Sequence, residues 1–290
     1  MKTQGYILAA ISAISYGLIP IFILPMKQIN FSMDVTLFYR FLFSAIMVGV
    51  YLIFKKVNLK INKWEFLVLL ILGLFYALSS EFLFLGYDYL SAGIASTVLF
   101  VYPVLVALVM FLFYGEKLSK MGIVSLLLTF VGVIVLCLKG NSLEINFVGL
   151  GIVLLSALFY GLYIIIVNKA KINVSGIKLS FYSMLFTSIY FLMKSLVLKE
   201  SLAIPSYSIF FNFVTFAFVT TLISSVALVL AIQKIGSTPT AIMGALEPVI
   251  AVAVSVLFFN EDFTRNLLIG IILILTGVSL NMLSSRKTVE

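Results

Sequence analysis

Long apolar runs alternate along the chain with short clusters of charge, Asn, Gly and Pro. Cutting at each cluster leaves ten apolar segments, at about 5–24, 34–54, 64–85, 92–113, 121–138, 147–167, 179–198, 209–232, 240–259 and 266–283. Each approaches the roughly 20 residues that an α-helix needs to cross about 30 Å of hydrocarbon. The pattern predicts an all-α integral membrane protein with ten transmembrane helices. The connections are short, the longest on the order of ten residues, which leaves no room for a soluble catalytic domain. Lys2 ahead of the first run invites a signal-peptide reading, but Ala9, Ala10 and Ala13 come too early for a cleavage site and the run is of spanning length. It is read as the first helix.

The segments repeat. Gly5, Ser12, Ala13, Tyr16, Gly17 and Leu18 recur 144 positions later as Gly149, Ser156, Ala157, Tyr160, Gly161 and Leu162. At an offset of 145, Ser79 and Ser80 match Ser224 and Ser225, Pro103 matches Pro248, Glu116 matches Glu261 and Gly132 matches Gly277; Phe38 and Tyr39 match Phe181 and Tyr182 at 143. Any single match of small residues is weak, but an ordered series with so little drift predicts two copies of a five-helix unit, residues 1–140 and 141–290. Five is odd, so the second copy enters the membrane from the opposite side. Inverted repeats of this kind are typical of secondary transporters, where two similar bundles open a central site to either side in turn.

Composition narrows the chemistry. Of the 290 residues 63% are hydrophobic and only 10% charged, too few charges to keep two soluble domains in water. There is no histidine, and the lone Cys137 permits no intrachain disulfide, so the usual zinc, haem and His-assisted nucleophile sites have no ligands; no cofactor or metal is expected. Lys2, Lys55, Lys56, Lys60, Lys63, Lys117, Lys120, Lys169, Lys171, Lys178, Lys234, Arg286 and Lys287 fall on one side of the predicted membrane, against Lys27, Lys139, Lys194, Lys199 and Arg265 on the other. The positive-inside rule places both termini in the cytoplasm. This asymmetry accounts for the net charge of +8 without a nucleic-acid partner.

Tyr114-Gly115-Glu116-Lys117-Leu118-Ser119, its counterpart Asn260-Glu261-Asp262-Phe263-Thr264, the mid-segment prolines and Arg40-Phe41 resemble the EamA family of the drug/metabolite transporter superfamily. The resemblance runs over essentially the whole chain. It implies ten helices in two inverted repeats, and export or exchange of small metabolites, often amino acids. The second copy departs from the pattern at Asn260, which stands where the first has Gly115 and reads as drift in a loop.

Arg40 is the most conspicuous candidate, because a charge within a span costs several kcal/mol unless it pairs, snorkels or faces water. It lies roughly 9 Å below the outer end of its helix. Glu81 lies at similar depth on the next helix, so a structural salt bridge and an anion clamp for a substrate carboxylate both remain open. Glu247 precedes Pro248 near mid-membrane, on a stripe with Thr240, Gly244 and Ala251, and is either a substrate or proton site or a fixed partner of a hydroxyl. Tyr102 takes its place before Pro103 in the first copy, and the two prolines are candidate hinges. Tyr16, Tyr160, Tyr163, Ser79, Ser80, Ser224 and Ser225 complete a lining for a modestly polar cavity, although each hydroxyl alone serves equally as interhelical glue. Gly5, Ala9, Ala13 and Gly17, and the pairs Ser125 with Gly132 and Gly270 with Gly277, read as packing faces. Asp34, Asp88, Lys194, Glu116, Lys117, Glu261 and Asp262 lie near span ends, where solvation is the default.

The sequence thus points to a transporter in a bacterial inner or plasma membrane, moving a small polar metabolite by alternating access among membrane lipids; the oligomeric state is open. A lipid flippase or scaffold is the rival, marked by a lateral groove in place of a closed cavity. An intramembrane enzyme is not expected, since no two carboxylates share a helix at a catalytic spacing.

Overall fold

The structure, a computed structural model, describes residues 2–115, 120–136, 146–170, 172–235, 240 and 243–286. Glu116, Lys117, Cys137, Lys139, Lys171 and Lys287 lie outside these. No strand occurs among the described residues. The helices are α1 (Lys2–Gly17), α2 (Ile19–Gln28), α3 (Met33–Phe54), α4 (Lys63–Gly86), α5 (Ala92–Leu99), α6 (Tyr102–Tyr114), α7 (Lys120–Leu136), α8 (Phe147–Lys169), α9 (Gly176–Val197), α10 (Tyr207–Phe216), α11 (Ser224–Ile235), α12 (Leu246–Phe259) and α13 (Arg265–Arg286). A π-helical stretch, Ala217–Ile223, joins α10 to α11.

Among the described residues seven stretches are long and apolar enough to cross a membrane: Thr3–Gln28, Met33–Phe54, Lys63–Gly86, Ala92–Tyr114, Phe147–Val167, Gly176–Val197 and Tyr207–Leu228. Shorter apolar helices, Lys120–Leu136, Leu246–Phe259 and Arg265–Leu280, fall on the fifth, ninth and tenth apolar segments. The first stretch is longer than the apolar run read from the sequence and bends at Leu18, where Pro20 opens α2. Phe54, Phe113, Phe130 and Leu257 are among many large apolar side chains left exposed, as a lipid solvent requires.

Local chemistry at the element ends is duplicated. Helices α3 and α9 are both 22 residues long and start 143 positions apart, each capped by a serine, Ser32 or Ser175, that accepts from the backbone three residues on. Each is followed by a lysine in the left-handed region, Lys56 (φ 53°) and Lys199 (φ 57°). Helix α6 ends on Gly115 (φ 68°) and α12 on Asn260 (φ 54°), whose N–H groups return to Met110 and Ser255 carbonyls. Asn260 is therefore no drift: the helix needs a left-handed closing residue, and asparagine tolerates that conformation better than other side-chain-bearing residues.

Packing between the halves is reciprocal. Helix α1 lies against α11 and α8 against α4, while α3 pairs with α9, α7 with α13 and α5 with α12. Ser12 Oγ donates to the Ser224 carbonyl at 2.9 Å, and its repeat mate Ser156 donates to the Ser79 carbonyl at 2.6 Å. Tyr39 OH donates to the Leu202 carbonyl at 2.7 Å, and Tyr182 OH to the Leu59 carbonyl at 2.5 Å, both partners again 143 apart. Between apolar helices in lipid there is little hydrophobic gain, so close van der Waals approach has to hold them. Gly132, Gly270 and Gly277 supply it between α7 and α13, where any added Cβ meets the opposing helix, and Ser125 Oγ reaches the Gly277 carbonyl at 2.6 Å. Gly5 and Gly17 do the same for α1 against α11 and α12.

Candidate functional site

Proline shapes the centre of the bundle. Pro248 has no N–H for the Gly244 carbonyl, which accepts instead from Glu247 N at 2.9 Å, and the helix breaks at Gly244 and Ala245 before α12 begins. The same break separates α5 from α6 at Phe100 and Val101, just ahead of Tyr102 and Pro103. The stripe from Thr240 to Ala251 thus does not run along one continuous helix. Glu247 instead sits in the first turn of α12, where free backbone N–H groups favour a carboxylate. Tyr102 opens α6 in the equivalent place.

Arg40, on α3, is only 2% exposed. Its Nε donates to Thr221 Oγ1 at 3.2 Å. The guanidinium carbon lies 4.6 Å from the Phe216 ring centroid, 5.1 Å from Phe41 and 6.0 Å from Tyr16. Those rings are themselves braced, Phe216 by Phe22 at 5.3 Å and Phe41 by Phe191 at 6.1 Å. The aromatic sleeve offsets part of the desolvation cost, at about 2 kcal/mol for a desolvated cation–π contact. It does not saturate the fork: Arg40 Nη2 is buried with no hydrogen-bond partner among the described residues.

Next to the sleeve stands a wall of tyrosines. Tyr76 meets Phe41 edge-on at 5.2 Å and lies 5.5 Å from Tyr163 and 6.4 Å from Tyr160. Tyr160 is 4.7 Å from Tyr102 and stacks parallel to Tyr163 at 6.1 Å. Glu247 lies within electrostatic range of Tyr16, Tyr76, Tyr87, Tyr102 and Tyr160, and Arg40 of Tyr16, Tyr76 and Tyr87. Tyr16, Tyr76, Tyr102, Tyr160, Tyr163 and Glu247 are deep in the bundle, yet each keeps part of its surface uncovered.

Other candidates go elsewhere. Glu81 does not face Arg40. Equal depth on consecutive helices leaves the azimuth open, and α3 and α4 scarcely touch; α4 packs on α8 and α9. Glu81 therefore meets α9, with Oε1 2.7 Å from Lys194 Nζ and Oε2 accepting from Tyr190 OH at 2.6 Å. Lys194 also reaches Asp34 at 2.9 Å, so these end-of-span charges are paired instead of merely solvated. Asp88 pairs with Lys27. Glu261 caps α5, accepting from Ala92 N at 2.8 Å and Gly93 N at 3.4 Å. Ser79 and Ser224 are occupied as interhelical acceptors, Ser80 is buried, and Ser225 lines a lateral groove of about 720 Å³ between α1, α3, α9, the π stretch and α11. No group of three or more His, Cys, Asp or Glu placed to hold a metal occurs among the described residues.

Thr221, Phe216 and Tyr76 were missed from sequence. Thr221 and Tyr76 are repeat mates at the same offset of 145 that joins Ser79 to Ser224, so extending that match three residues back would have found both.

A bundle of apolar helices surrounding a deep polar centre defines a multi-pass membrane protein, and the comparisons make it a transporter. The EamA-like transporter family matches residues 3–138 and again residues 147–283, and the chain belongs to that family. An uncharacterized transporter of Bacillus subtilis (strain 168), YvbV, is 27% identical over 215 residues, spanning 73% of this chain and 68% of the relative. A solved crystal structure at 15% identity covers the whole of both chains with a TM-score of 0.69, a likeness of fold.

Proposed function

We propose that this transporter exports a small polar metabolite carrying a carboxylate, amino acids among them, by alternating access through the chamber around Arg40. The chain would cross the bacterial cell membrane ten times, as two inverted five-helix halves, residues 1–140 and 141–290, with both termini in the cytoplasm. One observation carries the substrate class: a buried guanidinium whose Nη2 has no partner, beside tyrosine hydroxyls and uncovered surface. Burying an unsatisfied cationic donor is costly unless a ligand completes it, and a carboxylate fits the guanidinium fork. Export and amino-acid-like substrates follow the family.

The test is efflux from purified protein in liposomes preloaded with a mixed metabolite pool, read by mass spectrometry. Carboxylate-bearing solutes leave selectively, and Arg40→Gln abolishes the loss; efflux no faster than from protein-free liposomes overturns the reading. Glu247 is the candidate coupling group, since it is a carboxylate deep in the bundle beside Tyr16, Tyr102 and Tyr160 and keeps part of its surface uncovered. Glu247→Gln then removes the response to an imposed pH gradient, and an unchanged response takes it out of the mechanism. The lateral groove, about 720 Å³ and mostly apolar, favours a second reading, lipid translocation. Dithionite quenching of a fluorescent phospholipid in the same liposomes tests that.

A further inference from the structure

The Lys194 network and the lateral groove occupy equivalent places in the two halves. Asp34, Tyr190 and Lys194 map at the offset of 143 onto Ile177, Met47 and Tyr51, and Glu81 maps at 145 onto Val226. All four mates line the groove. The layer beneath corresponds as well: Phe41 and Phe191, stacked at 6.1 Å behind the network, map onto Met184 and Val48, which also line the groove. The same structural position is thus bridged shut across α3, α4 and α9 by charge in one half, with a smaller groove of about 530 Å³ bordered by Tyr190 and Lys194 beside it, and lines the larger, open groove in the other. The shut end ties three helices together, Lys194 and Tyr190 on α9, Glu81 on α4 and Asp34 on α3. The open end carries no charged side chain at any of the four places.

We propose that Asp34, Glu81, Tyr190 and Lys194 form the gate that closes the outer end of the transport path, and that Met47, Tyr51, Ile177 and Val226 form its apolar counterpart at the cytoplasmic end, open in this structure. This rests on the alternating-access reading above. Closure by ion pairs at one end and by apolar contact at the other makes the two closed states unequal. Desolvation offsets much of what a partly buried ion pair contributes, but removing one partner strands the other as an uncompensated charge. Lys194 therefore sets how long the outer end stays shut, and its loss shifts the population toward the outward-open form.

The experiment uses full-length protein with Cys137 replaced by serine, and two single-cysteine probes at repeat-equivalent places, Ser225→Cys in the groove and Ser80→Cys behind the network. A membrane-impermeant maleimide is applied from one side at a time. Ser225→Cys reacts from the cytoplasmic side and Ser80→Cys is protected. Lys194→Met raises outer labelling of Ser80→Cys by about tenfold and lowers that of Ser225→Cys, as expected for a one-decade shift in a two-state equilibrium. Tyr51→Lys with Val226→Glu, which leaves the outer network untouched, places an ion pair at the cytoplasmic end and protects Ser225→Cys; this variant carries the test should Lys194→Met not fold. Labelling of both probes unchanged in these variants overturns the gate. Oxidative crosslinking of Met47→Cys to Val226→Cys separates the two hypotheses. If closing that end exposes Ser80→Cys to the outer reagent while Lys194→Met does nothing, alternation stands and the gate falls. If crosslinking leaves Ser80→Cys protected, the alternating-access reading fails itself.

Discussion

Arg40 is held more by rings than by hydrogen bonds, and that determines what its substitution does. With Nε on Thr221 and the guanidinium carbon 4.6 Å from the Phe216 centroid and 5.1 Å from that of Phe41, the side chain is held in place while Nη2 has no hydrogen-bond partner among the described residues. Lysine carries the charge without the planar fork, so Arg40→Lys is expected to retain folding and lose at least about tenfold in substrate affinity, measured by concentration-dependent efflux. Thr221→Ala costs about 1 kcal/mol of orientation and raises the half-saturating concentration a few-fold. Because Arg40 and Glu81 share no partner, Arg40→Gln and Glu81→Gln are expected to be additive within about 0.5 kcal/mol in a double-mutant cycle. Partial rescue, the outcome a salt bridge between them would give, would require a contact that the packing of α4 on α8 and α9 does not provide. Both residues were legible as buried charges. Their partners were not, since partner choice depends on which face each helix turns to its neighbours, and an apolar helix with hydrophobic residues all round gives little signal of that.

At the scale of the elements, two helix ends test whether conformation or identity is retained. Asn260→Gly is expected to leave thermal stability in detergent almost unchanged, whereas Asn260→Val, a β-branched residue forced to positive φ, lowers it by about 1–2 kcal/mol. The proline breaks were visible as a Pro after Tyr102 and Glu247, but the extent of the interruption was not, because the released Gly244 carbonyl is satisfied within its own turn. The π stretch had no sequence signal. Its extra residue per turn brings Thr221 toward Arg40 while Ala217 receives Ser44 Oγ at 3.4 Å, a contact between helices that local propensity does not encode.

For the molecule as a whole, an all-helical membrane protein was readable because lipid imposes length on apolar segments, and the duplicated residues because they recur at offsets of 143 to 145. The candidate site was legible only as an inventory. Tyr16 with Tyr160 and Tyr102 with Glu247 were found as repeat mates, while Ser79 and Ser224 accept hydrogen bonds between helices and Ser225 borders the groove. Orientation is open to direct measurement: reporters fused after residue 286 and within residues 55–63 are both expected to report the cytoplasm, and one within residues 199–206 the opposite side. A reporter at either of the first two places that reads external would reverse the assignment of the gate's two ends along with the topology.

Four of the bonds that cross between the first and second parts of the chain form two pairs with donor and acceptor exchanged: Ser12 gives to Ser224 as Ser156 gives to Ser79, and Tyr39 to Leu202 as Tyr182 to Leu59. This is the self-complementary pattern of an isologous dimer, in which one patch binds a second copy of itself. Neither half completes its own contacts, and each carries what the other lacks. Severing the chain after residue 140 and co-expressing the two fragments is therefore expected to restore a stable, transporting assembly, while either fragment alone is degraded. Covalent linkage then fixes only the ratio of the two parts, one to one, and leaves recognition to their surfaces.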